Sequence, residues 1–520
     1  MLPLRKLPVG IQDFEKLRTE EYVYVDKTAY MHRLTQMGWP YFLARPRRFG
    51  KSLLISTLKA YFLGKKELFE GLAVSALEKD WVEYPVIHLD INRASYETPQ
   101  TFEDNLHALL SEYEETWQLE NRIEDVSMRF DRLISGAHRQ TGRRVVVLID
   151  EYDKPLVNTL DDPERHSALR EMLKSFYGIL KSADAHLRFV MLTGVTKFSK
   201  VSVFSDLNHL MDISFDKEFA GICGISEPEL IACFQPEITA LADELGKTRD
   251  ETLVELKQRY DGYHFSKSSE GLYNPFSLLN TLSKKAFSDY WYATGTPTFL
   301  AKMIKSIAFD VKSLENDVRV PTHGMTDYRV GEVKPLPLLY QSGYLTIKGY
   351  DALLDEYVLG FPNGEVKYGF FNELLPVYVP NKDVWSEFSV THFLRDLLAG
   401  NVDGFMTRLR AFFAGIPYEL NNKEEKHYQT IFFIMFRLMG QFVEAEQRSA
   451  AGRADAVVVT GSTVFVFEFK LTGNATAEDA LRQINDKGYL IPYSAGSKAI
   501  VKVGAEFSAE ERTLSRWVVG

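Results

Sequence analysis

Cysteine is nearly absent from this chain of 520 residues, which contains only Cys223 and Cys233. Two cysteines cannot build the disulfide framework of a secreted protein, and nothing around them has the spacing of metal ligands. No apolar run is long enough to span a bilayer, and the N-terminus has no apolar core of signal-peptide length. We therefore expect a cytoplasmic protein in a reducing compartment.

An excess of positive charge is also missing. The 61 basic and 71 acidic residues give a net charge of −10, whereas proteins that coat nucleic acids are usually basic. Residues 1–60 are locally basic, with 11 Lys or Arg against 5 Asp or Glu, and a phosphate ligand is the simplest explanation. Residues 421–520 carry 12 charges of each sign, which is no sign of strong independent nucleic-acid binding.

What the chain does contain is an ordinary globular composition, 45% apolar and 25% charged. At about 150 residues per domain its length predicts three or four domains. In the first part, short apolar strands alternate with helices, which predicts an α/β architecture with a parallel sheet and helices on both faces. The predicted strands are 41–44, 86–91, 145–149 and 189–192.

The pattern then changes three times, and we expect a multi-domain α/β protein. The expected domains are an α/β domain (1–225), a helical region (226–333), a winged-helix-like and helical connector (334–420), and a second, small α/β domain (421–520). Ser226 and Glu229 have the spacing of a helix capping box. In the connector, a helix is followed by two strands that flank the turn Pro362-Asn363-Gly364. The last domain reads strand, strand, helix, strand.

The sequence Phe49-Gly50-Lys51-Ser52, between a predicted strand and a helix, is the second half of a P-loop. In that motif the loop N–H groups face phosphates, the lysine reaches the β- and γ-phosphates, and the hydroxyl ligates Mg²⁺. The first half departs from the motif because Arg45 stands where glycine is needed. A helix start without a ligand stays open from this motif alone. We nevertheless expect Arg45 not to disable the site, since an anion would still meet the N–H groups of residues 49–52.

The strand ending in Asp150 and Glu151 supplies the partner motif. Acids at the carboxyl end of a parallel strand lie where open α/β sheets bind ligands. We expect Asp150 to hold Mg²⁺ through water and Glu151 to orient the attacking water. Thr193, at the end of another strand, is placed to sense the γ-phosphate or is an ordinary strand-end threonine. Arg47 and Arg48 contact phosphate, pair with acids or act as an arginine finger, and the sequence leaves this open.

A second candidate site lies near the C-terminus. Glu468 and Lys470 are two residues apart and share one face of a strand, and Asp455 enters the preceding strand. Two carboxylates can bind divalent cations that activate water, and a lysine can position that water or neutralise the transition state. The alternative is a strand edge with solvated charged ends. Glu425 could add a carboxylate, and Gln483 and Tyr489 follow on the next helix or its exit, whereas His427 is expected on a surface or in packing.

In this order the motifs resemble the bacterial AAA-ATPase-like proteins that carry a C-terminal PD-(D/E)XK nuclease-superfamily domain, over nearly the whole length. Arginine in place of the first glycine is normal in that family. The landmarks are LPVGIQDFEKLR, YVDKT, RPRRFGKSLL, VVLIDEYDKPL, LTGVTKFSKVSVFSDLNHL, YDGYHF, YNPFSLLN, GYLTI with FPNGEVK, and GRADAVV, VFEFK and QINDKGY.

The resemblance implies that residues 1–225 are a P-loop AAA-like ATPase domain, that residues 226–333 are a helical lid region, and that residues 421–520 are a restriction-endonuclease-like domain. Residue by residue it implies Lys51 and Ser52 as nucleotide-contacting and Asp150 and Glu151 as the Walker B pair. It also implies Asp455, Glu468 and Lys470 as the nuclease core, with Glu425 and Gln483 as accessory positions. Together with the motifs themselves this gives the following expected sets. The nucleotide-contacting set is Arg48, Phe49, Gly50, Lys51, Ser52, Leu53, Asp150 and Thr193. The metal-ligating set is Ser52 and Asp150 for one site, and Asp455, Glu468 and Glu425 for the other. The catalytic set is Glu151, Asp455, Glu468 and Lys470, with Gln483 as an accessory position.

We expect a protein that binds and hydrolyses ATP and is coupled to a nuclease-like domain acting on DNA, with Mg²⁺, or Mn²⁺ at the nuclease site, as the metal. Oligomerisation through the ATPase domain is possible. The alternative is a nucleotide-driven switch or interaction protein whose nuclease fold binds without cutting. A third hypothesis makes YVDKT and the helical middle a protein-interaction surface.

Overall fold

The structure is a computed structural model, and its chain forms two compact units. The first comprises Met1–Gly295 and Leu314–Glu365, and the second comprises Thr296–Ser313 and Val366–Gly520. The described residues are 5–38, 40–119, 123–197, 209–294, 304, 309–315, 318–325, 335–379, 390–415, 425–440, 444–446, 455–494, 496–508, 510–511 and 513–520. The predicted boundaries at 333 and 420 lie outside them, and the four-part division stays a prediction.

A five-stranded, all-parallel sheet forms the core of the first unit, in the order β2-β3-β4-β1-β5. All six residues of β3 are buried, as a continuous apolar run predicts for a strand covered on both faces. The four predicted strands are confirmed, and β5 is a short addition. The strands are β1 (Pro40–Ala44), β2 (Val86–Asp90), β3 (Val145–Asp150), β4 (Leu187–Gly194) and β5 (Met211–Asp212).

Helices connect β1 to β2, β2 to β3 and β3 to β4, as parallel pairing requires. The helix α3 that follows the phosphate-binding motif packs against β3 and β4. The helices are α1 (Phe14–Thr19), α2 (Thr28–Met37), α3 (Lys51–Phe62), α4 (Ala73–Leu77), α5 (Pro99–Thr116), α6 (Val126–Thr141), α7 (Lys154–Val157) and α8 (Pro163–Ser182).

The predicted helical region follows the sheet. The capping box of Ser226 and Glu229 is present and starts the first helix. The elements are β6 (Ile225–Ser226), α9 (Glu227–Cys233), α10 (Gln235–Leu245), α11 (Arg249–Tyr260), β7 (Leu272–Tyr273) and α12 (Pro275–Lys284). The YVDKT segment lies at the start of α2, where the Asp26 carboxylate accepts hydrogen bonds from the N–H and hydroxyl of Thr28. The other Asp26 oxygen accepts the N–H of Ala73, and Lys27 pairs with Glu229, so the segment also connects α2 with α4 and α9.

A helix and a three-stranded antiparallel sheet, in the order β8-β10-β9, complete the first unit. They are α13 (Pro335–Ser342), β8 (Val318–Pro321), β9 (Thr346–Asp351) and β10 (Glu356–Gly360). The expected strand after Pro362-Asn363-Gly364 is wrong, because α14 (Gly364–Tyr378) begins there. Buried Val366, Phe370 and Leu374 recur every four residues, which is helical spacing. The hairpin turn lies earlier, between β9 and β10.

The second unit contains a mixed sheet in the order β11-β12-β13-β14-β15, in which only β13 and β14 run parallel. The predicted strand, strand, helix, strand series is confirmed, and one strand is added at each edge. The elements are α15 (Val390–Leu398), α16 (Val402–Ala414), α17 (Glu425–Met439), β11 (Glu444–Glu446), β12 (Ala456–Val459), β13 (Thr463–Leu471), α18 (Ala477–Asp486), β14 (Ala499–Ser508) and β15 (Thr513–Val519). Within the described ranges, no helix combines the length and apolar character needed to cross a bilayer.

Glu365 is a buried carboxyl group in the first unit. It is 3% exposed, and it accepts hydrogen bonds from the Ser277 hydroxyl and from the N–H of Trp291, at 2.7 Å each. Burial raises the pKa of Glu365 from 4.5 to about 8. In the folded protein this group therefore keeps its proton at pH values where the unfolded chain has lost it.

We expect Glu365→Gln to stabilise the protein at pH 8 and to have little effect at pH 5. A raised folded pKa gives stability that is complete below pH 4.5 and is lost as the pH rises towards about 8. Glutamine keeps the hydrogen bonds without that loss, a gain on the order of 2 kcal/mol. Urea unfolding at both pH values measures it, with Glu356→Gln on β10 as control. Equal midpoints for Glu365→Gln and wild type at pH 8 would contradict the expectation.

Candidate functional site

The phosphate-binding motif folds as a tight loop between β1 and α3. Gly50 precedes the first helical residue with φ of 93°, a backbone conformation that favours glycine. The first N–H groups of α3, from Lys51 onward, have no partner within the helix. Ser52 is the second helical residue. The loop therefore presents N–H groups that lack partners within the helix, together with the positive end of a helix dipole, which suits an anion.

Arg45, which replaces the first glycine of the motif, is 1% exposed. Its guanidinium donates to the carbonyls of Ala44 at 2.9 Å and Ser214 at 2.8 Å, and it lies 4.1 Å from the ring centroid of Phe265. A further bond of 3.2 Å reaches the carbonyl of Phe219. The side chain is thus committed to carbonyls beyond the loop, mostly from residues 214–219.

Lys51 is 5% exposed, and its side chain lies within the loop, where it connects two carbonyl groups. Its ammonium donates to the carbonyls of Arg45 at 2.9 Å and Pro46 at 3.1 Å. Burial lowers its pKa, and the charges of Asp150, Glu151 and Asp153 oppose that shift. An ammonium has three N–H donors, so one remains for a phosphate oxygen.

The acids predicted at the sheet edge lie together with the strand-end threonine. Asp150 is 4% exposed and closes β3, and its carboxylate accepts the Thr193 hydroxyl at 2.5 Å. Glu151 has φ of 53°, and its N–H donates to the Asp150 carboxylate at 3.1 Å. The Glu151 carboxylate lies 3.5 Å from the ammonium of Lys154. A hydroxyl, two carboxylates and the nearby Lys51 charge thus share this edge.

Two further acids belong to this edge, and sequence reasoning missed both. Asp90 pairs in register with Asp150 on the neighbouring strand, and burial raises its pKa. Asp153 is 2% exposed, and its carboxylate accepts from the N–H of Val195 at 3.0 Å and from the hydroxyl of Thr196 at 2.6 Å. Asp153 therefore fixes the chain just beyond Thr193. For Asp153, the signal in the sequence was its place as the third acid of DEYD (residues 150–153).

The remaining loop residues have distinct surroundings. Arg48 is exposed, with its guanidinium 4.7 Å from the ring centroid of Phe276. Phe49 is buried against the ring of Tyr263 at 4.8 Å, and its carbonyl accepts from the N–H of Gly224 at 3.2 Å. The side chain of Phe49 therefore anchors the loop, and only its main chain is left to face a ligand.

An apolar cavity adjoins the loop. Its walls come from three stretches of the first unit: the N-terminal segment, the start of α3, and the chain from residue 222 onward. Lys27, the main charge on its wall, pairs with Glu229 at 2.6 Å, so the cavity surface is largely uncharged. Residues that line it include Pro8, Tyr24, Leu53, Ile222, Gly224 and Leu279.

In the second unit, the structure brings Asp455, Glu468 and Lys470 together. Ala456 pairs with Phe467 across β12 and β13, so Asp455 stands opposite Glu468 when that register is continued. The Asp455 carboxylate accepts the N–H of Phe469 at 2.8 Å, and Lys470 donates to Glu468 Oε1 at 2.8 Å. These three side chains thus converge on one end of the sheet.

Glu468 is the most deeply buried member of this group, at 3% exposure. Gln483 on α18 donates to Glu468 Oε1 and to the hydroxyl of Tyr489. Glu468 Oε2 is buried and has no hydrogen-bond partner among the described residues. Burial raises the pKa of both Asp455 and Glu468, and the charge of Asp455 raises that of Glu468 further.

A buried carboxylate oxygen without a partner, beside a second carboxylate, suits a divalent cation. No group of three His, Cys, Asp or Glu side chains in the described part of the chain is arranged to hold a metal. The expected third carboxylate, Glu425, begins α17, but its side chain and that of His427 lie outside the described residues.

Two protein-family models match this chain. The model described as "Predicted AAA-ATPase" covers residues 8–204, and the model described as "PD-(D/E)XK nuclease superfamily" covers residues 423–517. A protein of Azotobacter chroococcum mcd 1, "Uncharacterized protein in vnfD 5'region", is 38% identical over 525 residues, and the alignment covers 99% of each chain. This chain belongs to the bacterial AAA-ATPase-like proteins with a C-terminal PD-(D/E)XK nuclease-superfamily domain.

The candidate residues divide between the two matched domains. Lys51, Asp150 and Thr193 lie in the AAA-ATPase-like domain, and Asp455 and Glu468 lie in the nuclease-superfamily domain. The cavity wall beyond residue 222 lies outside the matched AAA-ATPase-like segment. The loop between β1 and α3 (residues 45–50) is called the phosphate loop below. The helical region therefore contributes directly to the surroundings of this loop.

Proposed function

We propose that this protein binds and hydrolyses ATP with Mg²⁺ and uses a metal-dependent nuclease domain to cut DNA. The observation that carries the nuclease part is the convergence of Asp455, Glu468 and Lys470, with one buried Glu468 oxygen left without a described partner. Such a pair of carboxylates could hold Mg²⁺ or Mn²⁺, and the metal would supply an activated water and stabilise charge on a phosphodiester. Lys470 would neutralise part of that charge.

ATP binding rests on the loop at the start of α3. Lys51 and the N–H groups of residues 49–53 would bind the phosphates. Ser52 and Asp150 would hold Mg²⁺, and Glu151 would orient the attacking water. The 2.5 Å bond between Thr193 and Asp150 would let Thr193 respond to the γ-phosphate through the metal-holding carboxylate.

The apolar cavity beside Leu53 is the proposed place of the nucleotide base. Ligand pockets bury an aromatic group in apolar walls and orient it with a few polar groups. Here the walls are apolar, and the nearby Lys27 and Glu229 neutralise each other. The base would then lie against the segment around Gly224, whose N–H is already tied to the phosphate loop at Phe49.

The alternative is a nucleotide-driven switch whose nuclease fold binds without cutting. One observation favours it: Lys470 and Gln483 both donate to Glu468 Oε1, so protein groups already bind this carboxylate without a metal. Cleavage assays with and without ATP on single-stranded, duplex and branched DNA, in Mg²⁺ and Mn²⁺, separate the two functions. Metal-dependent cutting supports the first, and binding without cutting supports the second.

The metal site can be tested without a substrate. We expect Mn²⁺ or Mg²⁺, without nucleotide, to stabilise the wild type by about 2.7 kcal/mol at 100 times the dissociation constant, because the cation relieves the repulsion between Asp455 and Glu468. Glu468→Gln should lose this stabilisation. Glu478→Gln, an exposed carboxylate of the same unit paired with Arg516, should keep it. Thermal unfolding in EDTA and in each metal measures the effect, and equal metal responses of wild type and Glu468→Gln would contradict it.

A further inference from the structure

Trp291 ties the phosphate loop to a later part of the chain. Its indole N–H donates to the carbonyl of Arg47 at 3.1 Å, and its main-chain N–H donates to Glu365 at 2.7 Å. The ring packs edge-on against Tyr344 at 5.5 Å. Trp291 is 7% exposed and lies 87 residues beyond the matched AAA-ATPase-like segment, which ends at residue 204.

The turn after α13 reaches both loops of the nucleotide site. Gly343 has φ of 92°, and a Cβ there would lie 2.7 Å from the Cβ of Pro46. The turn therefore sits directly against the phosphate loop, in a conformation that only glycine adopts easily. The Gln341 side chain accepts from the N–H of Lys197 at 2.9 Å, on the chain that leaves β4 after Thr193.

The contacts of Trp291 and Gly343 fall on residues 45–47, which Lys51 also binds. Lys51 donates to the carbonyls of Arg45 and Pro46. Trp291 donates to the carbonyl of Arg47, and Gly343 packs against Pro46, so two further residues contact the same stretch. A loop fixed on both sides loses less conformational entropy when a phosphate binds, and such preorganisation increases affinity.

We propose that Trp291, Gln341 and Gly343, here called the loop clamp, are positioning residues that preorganise the nucleotide site and make the α13–β9 turn respond to bound nucleotide. This inference rests on the proposed ATP binding. The clamp contacts the loops through main-chain carbonyl and N–H groups and a proline ring. Its contacts therefore depend on the conformation of the loops rather than on their side chains. Because coupling between two sites is reciprocal, ATP must stabilise the turn by the factor by which the clamp strengthens ATP binding.

The affinity test removes one hydrogen bond. Trp291→Phe keeps an aromatic ring but loses the donor to Arg47, and we expect the dissociation constant for ATP to rise about five-fold, the usual effect of one hydrogen bond. Trp81→Phe is the matched control, since the Trp81 indole N–H has no hydrogen-bond partner among the described residues. Calorimetric titration of ATP into each full-length variant measures both, beside their melting temperatures.

The reciprocal test is hydrogen exchange with and without the slowly hydrolysed analogue ATPγS. The amides of Gly343 and Tyr344 are hydrogen-bonded to Tyr340 and Leu339, so their exchange reports opening of the turn. Saturating analogue should slow it by about the same factor of five in wild type, and by less in Trp291→Phe. The amide of Gly142, at the end of α6, serves as the reference.

Gly343→Ala offers a second variant of the clamp, because its added Cβ would push against Pro46. Gly349→Ala on β9 is its control, since a Cβ there meets Val358 at an ordinary 3.8 Å. We expect weaker ATP binding in the first and wild-type binding in the second.

The outcomes separate the inference from the function on which it rests. Failure of the wild type to bind ATP would overturn both. ATP binding with no protection of the turn, and with equal affinities for Trp291→Phe and Trp81→Phe, would overturn the clamp alone. A drop in affinity that appears only together with a lower melting temperature, without loss of exchange protection, would mark Trp291 as purely structural and also overturn the clamp.

Discussion

Replacing Lys51 with alanine should weaken ATP binding about 100-fold. The ammonium already bridges the carbonyls of Arg45 and Pro46, so its loss removes a charge-assisted bond to phosphate and the internal support of the loop. One such bond contributes about 1.5–3 kcal/mol, and each 1.4 kcal/mol is ten-fold in affinity. Titration of ATP into full-length protein measures the change.

Lys59→Ala is the matched control for this prediction. It removes the same charge from the same helix, α3, two turns further from the loop, and it should bind ATP as the wild type does. Equal affinities for Lys51→Ala and wild type would remove the phosphate-loop assignment altogether.

Glu151→Gln should separate binding from hydrolysis at the same site. Glutamine keeps the shape of the side chain but loses the carboxylate that would polarise water, and general-base catalysis is typically worth 10²–10⁴-fold. ATP should therefore bind with nearly unchanged affinity and turn over at least about 100-fold more slowly. An unchanged turnover rate would exclude Glu151 from that role.

Four strands of the parallel sheet, β1 to β4, could be predicted because each is short, apolar and flanked by helical spacing. The fully buried β3 is the clearest case, and the acids that end it mark the sheet edge without a structure. The turn at Pro362-Asn363-Gly364 misled because it resembles a hairpin turn, and the helical spacing of Val366, Phe370 and Leu374 becomes clear only over a window longer than the expected strand.

Long-range contacts set the limit of what the sequence could predict. The bond between Trp291 and Arg47 joins residues 244 positions apart, and no local pattern points to it. The direction of the Arg45 side chain depends on the carbonyls of Ser214 and Phe219. Only the folded chain brings these carbonyls close to Arg45. By contrast, the face shared by Glu468 and Lys470 follows from strand periodicity, whereas the near-complete burial of Glu468 does not.

In the nuclease-superfamily domain, Asp455→Ala, Glu468→Ala and Lys470→Ala should each reduce metal-dependent DNA cleavage by at least about 1000-fold, since stabilisation of transition-state charge is commonly the largest catalytic term. ATP binding in the first unit should stay unchanged, because these side chains contact residues of the second unit. Cleavage of labelled DNA in Mg²⁺ and in Mn²⁺ measures the rates. Glu478→Gln, which leaves the site intact, should cut as the wild type does.

If the carboxylates bind metal, the Lys470→Ala variant tests whether Lys470 acts in cleavage or only balances the charge of the two carboxylates. Lys470 donates to Glu468 and lowers the cost of placing that carboxylate beside Asp455. Lys470→Ala should therefore leave metal binding in place, or strengthen it, while cleavage disappears, because the lysine would act on the phosphodiester rather than on the cation. Wild-type protein that binds metal and DNA in every nucleotide state yet cuts no substrate would instead establish the switch, with Lys470 serving only to balance two buried carboxylates.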